Sequence, residues 1–373
     1  MSGSNAQAPI NWRVDEKEDV LPDPEIQPAR RKRRAAWAAA WAAAWAAASM
    51  AGIALLLAAC SATPDPTPAR GGTPAADSPT ATAPVPSAAA TPTSAATPTA
   101  ANGLHGSYVA LGDSYTAGLG VPDPTGAVAG CGQSTSSYPH LVARSLRLDL
   151  TDMSCSSATI ADLTAAQPTG QGTNPAQLSA LSPGTALVTV SIGGNDIGII
   201  GIVTKCAELD LLPSLIPGRG SSSPTPCEDY YTSGGNDQIR QRIQAVSGHL
   251  ADTLAQIRGR SPRARVYVVG YPDLLPTGGA GCGDTLGITD GDIAFLNQEE
   301  LRLNGLLREV AHAAGDGYVD TYTPSEGHDA CAAPGSRWLE PLLPSAPGAP
   351  LHPNAIGEQG MADAVLEAVK SAS

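Results

Sequence analysis

Residues 108–120 read YVALGDSYTAGLG. A β-like run, Tyr108-Val109-Ala110-Leu111, stops at Gly112-Asp113-Ser114-Tyr115, and glycines follow at 118 and 120. A strand ending in a glycine-flanked serine delivers a hydroxyl to the carboxyl edge of a sheet, where ligands bind in open α/β folds. That hydroxyl is a weak nucleophile until a base takes its proton and donors receive the oxyanion. Two further motifs sit at comparable positions. Asn195 stands in Gly193-Gly194-Asn195-Asp196, straight after the apolar run ALVTVSI. His352 stands in His352-Pro353-Asn354, opening the last helical pattern. Each alone is ambiguous. Gly-Asp-Ser-Tyr reads as a turn, Asn195-Asp196 as a helix cap and His352 as a surface histidine beside a helix-starting proline. The G-x-S-x-G nucleophile elbow is absent around Ser114.

The elements that must position these residues are legible from residue 104 onward. Strand-like runs cover 107–111, 148–153, 186–192, 264–270 and 317–320, with helical patterns at 138–147, 236–259, 290–314 and 354–371. Several strands are almost continuously apolar, as strands covered on both faces are. Alternation of strand and helix predicts an α/β domain with a parallel sheet. The insert after Asn195, IGIIGIVTKCAELDLLPSLIPG, is rich in Leu and Ile. It reads either as helix and core or as the lining of an acyl-binding groove.

The preceding 103 residues are of a different kind. Residues 1–34 read as a cytoplasmic leader ending in the basic run Arg30-Arg31-Lys32-Arg33-Arg34. Residues 35–60 follow as an uncharged apolar signal or membrane anchor, with tryptophans at 37, 41 and 45 on one helical face. The segment closes on Leu57-Ala58-Ala59-Cys60, which resembles a bacterial lipobox and marks Cys60 for lipidation. Residues 61–103 are Pro, Thr, Ala and Ser without an apolar face, as a disordered linker is. The layout predicts an extracytoplasmic domain, residues 104–373, tethered to the outer face of a membrane or secreted. A net charge of −13 argues against nucleic acid as a partner. Behind an export signal, six cysteines remain beyond Cys60, and six allow 15 disulfide connectivities. Pairing in sequence order, Cys131–Cys155, Cys206–Cys227 and Cys282–Cys331, would staple one long loop or one pair of neighbouring elements each. No two cysteines have the close spacing of a zinc site.

GDSY after the first strand, GGND after the third and HPN before the last helix, in that order, resemble the blocks of the SGNH, or GDSL, hydrolases. The likeness spans residues 107–371. The cysteines, with HDAC at 328–331 followed by Trp338, look like the actinobacterial secreted lipases and esterases of that family. The resemblance implies a three-layer α/β/α sandwich with a flavodoxin-like five-stranded parallel sheet. It implies hydrolysis of lipid or small acyl esters by a monomer without metal or cofactor. Ser114 would be the nucleophile and His352 its base. The Ser114 N–H, the Asn195 amide and a backbone N–H at Ser157, where relatives usually carry glycine, would form the oxyanion hole. Many relatives place an aspartate three residues before the histidine; here that residue is Ala349. A Ser–His dyad, with the Ala349 carbonyl orienting His352, is therefore expected, and Asp320 is the rival partner. A silent glycan- or lipid-binding module and a cell-wall carbohydrate O-deacetylase are the alternatives.

Overall fold

The computed structural model describes residues 104–128, 130–214 and 223–371. The expected leader, apolar anchor, Cys60 and linker lie outside them. Among the described residues no helix is long and apolar enough to cross a membrane.

In chain order the elements are β1 (Ser107–Gly112), α1 (Ser114–Ala117), α2 (Tyr138–Leu146) and β2 (Asp149–Asp152). Then come α3 (Ile160–Thr164), a small antiparallel hairpin β3 (Gln167–Thr169) and β4 (Gly172–Asn174), and β5 (Thr185–Ser191). They are followed by α4 (Gly194–Ile197), α5 (Ile199–Ser214), α6 (Pro226–Tyr231) and α7 (Gln238–Arg260). The chain closes with β6 (Arg265–Val269), α8 (Gly283–Leu286), α9 (Asp290–Ala313), β7 (Gly317–Val319) and α10 (Ala355–Ser371). The main sheet has the order β2-β1-β5-β6-β7 and every pairing in it is parallel. This is the expected five-stranded, flavodoxin-like arrangement.

Strand periodicity divides the core into two layers. Val109 and Leu111 of β1, Val188 and Val190 of β5, and Val266 and Val268 of β6 face a cluster filled by α5, α7 and α9. The intervening Tyr108, Ala110, Leu187, Tyr267 and Val269 face α2 and α10. One polar contact is built into the second layer, where the Tyr108 and Thr189 hydroxyls lie 2.7 Å apart. The described part of the apolar insert forms the end of α4 and helix α5, and Ile197, Ile202, Val203 and Cys206 are fully enclosed. Leu211 on α5 remains exposed.

The three disulfides pair as expected: Cys131–Cys155, Cys206–Cys227 and Cys282–Cys331. The second ties α5 to α6. The third joins the start of α8 to the loop before Trp338, closing a sequence separation of 49 residues. On chain-entropy grounds, replacing Cys282 and Cys331 together by Ser should cost about 4 kcal/mol. A lowered midpoint in urea unfolding checks this; an unchanged midpoint would show that the bridge constrains nothing.

Candidate active site

The site gathers at the carboxyl edge of the sheet, as open parallel sheets dictate. β1 ends at Gly112, whose φ of 151° lies outside the range comfortable for other residues. A Cβ there would meet the Ser191 carbonyl at 2.5 Å. The side-chain amide of Gln177 grips this glycine from the other side. Its Oε1 accepts from Gly112 N–H at 2.8 Å and its Nε2 donates to Gly112 C=O at 2.9 Å. Asp113 then caps α1, its Oδ1 accepting from Tyr115 N–H at 3.0 Å. Ser114 is thus the first residue of a one-turn helix. No protein acceptor takes its N–H among the described residues, as expected at a helix start.

His352 reaches Ser114 from the turn before α10. Its Nε2 lies 2.7 Å from Ser114 Oγ, and its Nδ1 lies 2.7 Å from the Pro350 carbonyl. The expected acceptor, the Ala349 carbonyl, is used elsewhere: it accepts from the His352 main-chain N–H at 3.2 Å. The reason is the turn Ala349-Pro350-Leu351-His352. Proline at the second position, a first-to-fourth hydrogen bond and a positive φ at the third (Leu351, 60°) are the marks of a type II turn. Such a turn consumes the first carbonyl and leaves the second free. The Tyr115 hydroxyl donates to Leu351 C=O at 2.6 Å, and its ring lies 5.0 Å from the imidazole. Leu351 and His352 also pair through their backbones with Glu340. Glu340 is buried and accepts from Asn354 Nδ2 at 2.9 Å and Ser345 N–H at 3.1 Å.

Asp320 does not reach the imidazole. Its carboxylate accepts from the Tyr322 and Thr323 main-chain N–H groups at 3.0 Å and faces Arg308. His328 is likewise elsewhere, stacked on Trp338 with its Nδ1 on the Ser336 carbonyl.

The remaining expected donors sit on two turns that are hydrogen-bonded to each other. Asn195 follows β5, and its Nδ2 donates one hydrogen to Ala158 C=O at 2.9 Å, which orients the amide and leaves its second hydrogen. Ser157 has φ 65°, the left-handed conformation that glycine adopts without strain. Its N–H has no protein acceptor among the described residues. Asp196 binds the Ile160 N–H at 3.2 Å and so ties the Asn195 turn to the start of α3. Asn195 therefore bonds the turn that carries Ser157.

Burial dominates the electrostatics. It holds the His352 imidazole below its ordinary 6.5, offset in part by the bond to Pro350. It lifts the Asp113 carboxyl to about 7, against hydrogen bonds from Tyr271 and Tyr115 that favour the charged form. A neutral imidazole beside a serine hydroxyl is the arrangement needed to abstract a proton.

Sequence reading missed Gln177, Tyr271, Glu340 and Pro350. Only Pro350 left a local signal, since a proline at the second place of a four-residue turn foretells which carbonyl is spent.

The chain belongs to the GDSL-like lipase/acylhydrolase family, whose model matches residues 110–359. It is a carboxylic ester hydrolase of the SGNH type. It is 41% identical over 262 residues to Lipase 2 of Streptomyces coelicolor, covering 70% of this chain and 84% of that one. Among solved structures it resembles the extracellular lipase of Streptomyces rimosus (29% identity, TM-score 0.57, 70% of this chain and 99% of that one). It also resembles phospholipase A1 of Streptomyces albidoflavus (25% identity, TM-score 0.58, 71% and 99%).

Because only a neutral imidazole can accept the Ser114 proton, kcat/KM should fall on acidification with a midpoint below 6.5. The same limb should persist in Asp113→Asn, which assigns the titration to His352. A pH-rate profile that is flat down to acid, or a limb that disappears in Asp113→Asn, would contradict this.

Proposed function

We propose that the protein hydrolyses fatty-acyl esters through an acyl-serine intermediate, using a Ser114–His352 dyad. The observation that carries this reading is the 2.7 Å contact between Ser114 Oγ and His352 Nε2 beside unspent N–H donors. Ser114 Oγ attacks the ester carbonyl as His352 Nε2 takes its proton. The Ser114 N–H, the Ser157 N–H and the Asn195 amide receive the negative charge on the former carbonyl oxygen. Collapse expels the alcohol, which takes the proton back from His352. A water molecule, deprotonated by the same nitrogen, then releases the acid and restores Ser114. The Pro350 carbonyl fixes the Nδ1–H tautomer throughout. It carries only a partial charge, so it stabilises the imidazolium less than an aspartate would.

A fatty-acyl substrate is favoured by the relatives, which bear the names lipase, esterase and phospholipase A1. Three disulfides suit an oxidising compartment outside the cytoplasm. In this reading the domain works as a monomer, held at the outer membrane face by a lipid on Cys60 or by the apolar segment 35–60, with 61–103 as its tether.

The test is hydrolysis of a p-nitrophenyl ester series, acetate to palmitate, by the full chain. Turnover should peak at medium or long acyl chains. Ser114→Ala and His352→Ala should each lose at least about 10³-fold in kcat. Asn195→Ala should lose about 10²- to 10³-fold, as removal of one oxyanion donor does. A peak at acetate would favour a carbohydrate O-deacetylase. Full activity in Ser114→Ala would exclude the acyl-serine route.

A further inference from the structure

We propose that Tyr271 is a positioning residue that locks the nucleophile turn to the turn bearing Asn195. The inference rests on the acyl-serine reading above and adds to it a residue that neither the motifs nor the roles they imply include.

Tyr271 follows β6, so it belongs to neither of the turns it joins. Its hydroxyl donates to Asp113 Oδ2 at 2.6 Å and accepts from Gly194 N–H at 2.9 Å. Asp113 is the cap of the turn that presents Ser114, and Gly194 immediately precedes Asn195. One buried oxygen thus sits between the group that sets the nucleophile and the backbone that sets an oxyanion donor. Two features show that this oxygen is held in place. Asn304 of α9 clamps the Tyr271 main chain from behind, accepting from its N–H at 2.8 Å and donating to its C=O at 2.9 Å. At residue 194, a Cβ would stand 3.1 Å from both Tyr271 Cζ and Oη, so glycine is what lets the backbone come this close. The ring also meets Tyr115 edge-on at 5.2 Å, and Tyr115 in turn braces the His352 turn. Burial keeps the Tyr271 phenol well above its ordinary pKa, so it remains protonated and able to donate.

Loss of the hydroxyl would leave Asp113 Oδ2 and Gly194 N–H without this partner, both in buried residues. The two turns would then be free to shift relative to each other. A misplacement well under an ångström weakens contacts made to the transition state more than contacts made to the bound ester. The hydroxyl is spent on Asp113 and Gly194, so its removal should spare substrate binding.

The experiment compares steady-state kinetics of the full chain as wild type, Tyr271→Phe, Asp113→Asn, the double variant and Ser114→Ala, with thermal melts of each. Tyr271→Phe should lower kcat about tenfold with KM within about twofold of wild type. Asp113→Asn should do the same, and the double variant should lose no more than the worse single one, because both cut one interaction. A purely structural role would lower the melting temperature without this split. The proposal is overturned if Tyr271→Phe keeps wild-type kcat, if its loss is confined to KM, or if the losses multiply in the double variant. If Tyr271→Phe does not fold, Asp113→Asn reads the same hydrogen bond from its other end, and a wild-type kcat there overturns the proposal. Ser114→Ala separates the two levels. If it is inactive while Tyr271→Phe runs at full speed, only the positioning role fails. If it retains turnover, the acyl-serine reading fails, and this inference with it.

Discussion

The hydrogen bond between Ser114 and His352 joins residues 238 apart in sequence. Nothing local holds them together; the parallel sheet does. β1 fixes the Ser114 turn, and α10, packed on the same face of the sheet as α2, fixes the turn that brings the histidine back. Pairing of parallel strands leaves every strand-to-helix turn on one edge, so groups from β1, β2, β5 and β6 converge there without special provision. Each turn is then secured by a second bond from a remote segment: Gln177 on Gly112, Tyr115 on Leu351, Asp196 on Ile160 and Tyr271 on Asp113. The turns of the site hold one another.

The His352 imidazole is oriented by a carbonyl and not by a carboxylate. A partial charge offsets little of the cost of burial, so the imidazole stays neutral to lower pH than it does in water. That favours proton abstraction from a serine in mildly acidic surroundings. In the proposed mechanism it would also leave the imidazolium less stabilised than an aspartate does, and more of the rate would then come from the proposed oxyanion donors. The buried Asp113 carboxyl makes no contact with the imidazole; its two oxygens are spent on Tyr115 and Tyr271.

Most of the architecture was readable from periodicity alone. The runs around 107–111, 186–192 and 264–270 are too continuously apolar for exposed strands, and each became a central or near-central strand of the sheet. Ser114, Asn195 and His352 were readable because short motifs mark the ends of those strands and the start of the last helix. The insert after Asn195 was ambiguous since a buried helix and a greasy groove need the same residues; in its described part Ile197, Ile202 and Val203 lie in the core and Leu211 is exposed. Ala349 was the expected orienter because it holds the aspartate's place in relatives. The structure uses Pro350 since the turn, and not the alignment of motifs, decides which carbonyl is free. Tyr271, Gln177 and Glu340 left no signal. Tyr271 and Gln177 work through partners 158 and 65 residues away, Glu340 works within an irregular loop that has no period to read, and a tyrosine after a strand looks the same whether or not its hydroxyl has work to do.

The central claim is that Ser114 is the activated nucleophile. The most direct measurement is labelling of the folded full chain with a fluorophosphonate, followed by mass spectrometric mapping of the adduct. The account predicts a single adduct on the peptide containing Ser114, abolished in Ser114→Ala and strongly slowed in His352→Ala. An adduct on another residue, or a folded protein that takes up no label, would contradict it.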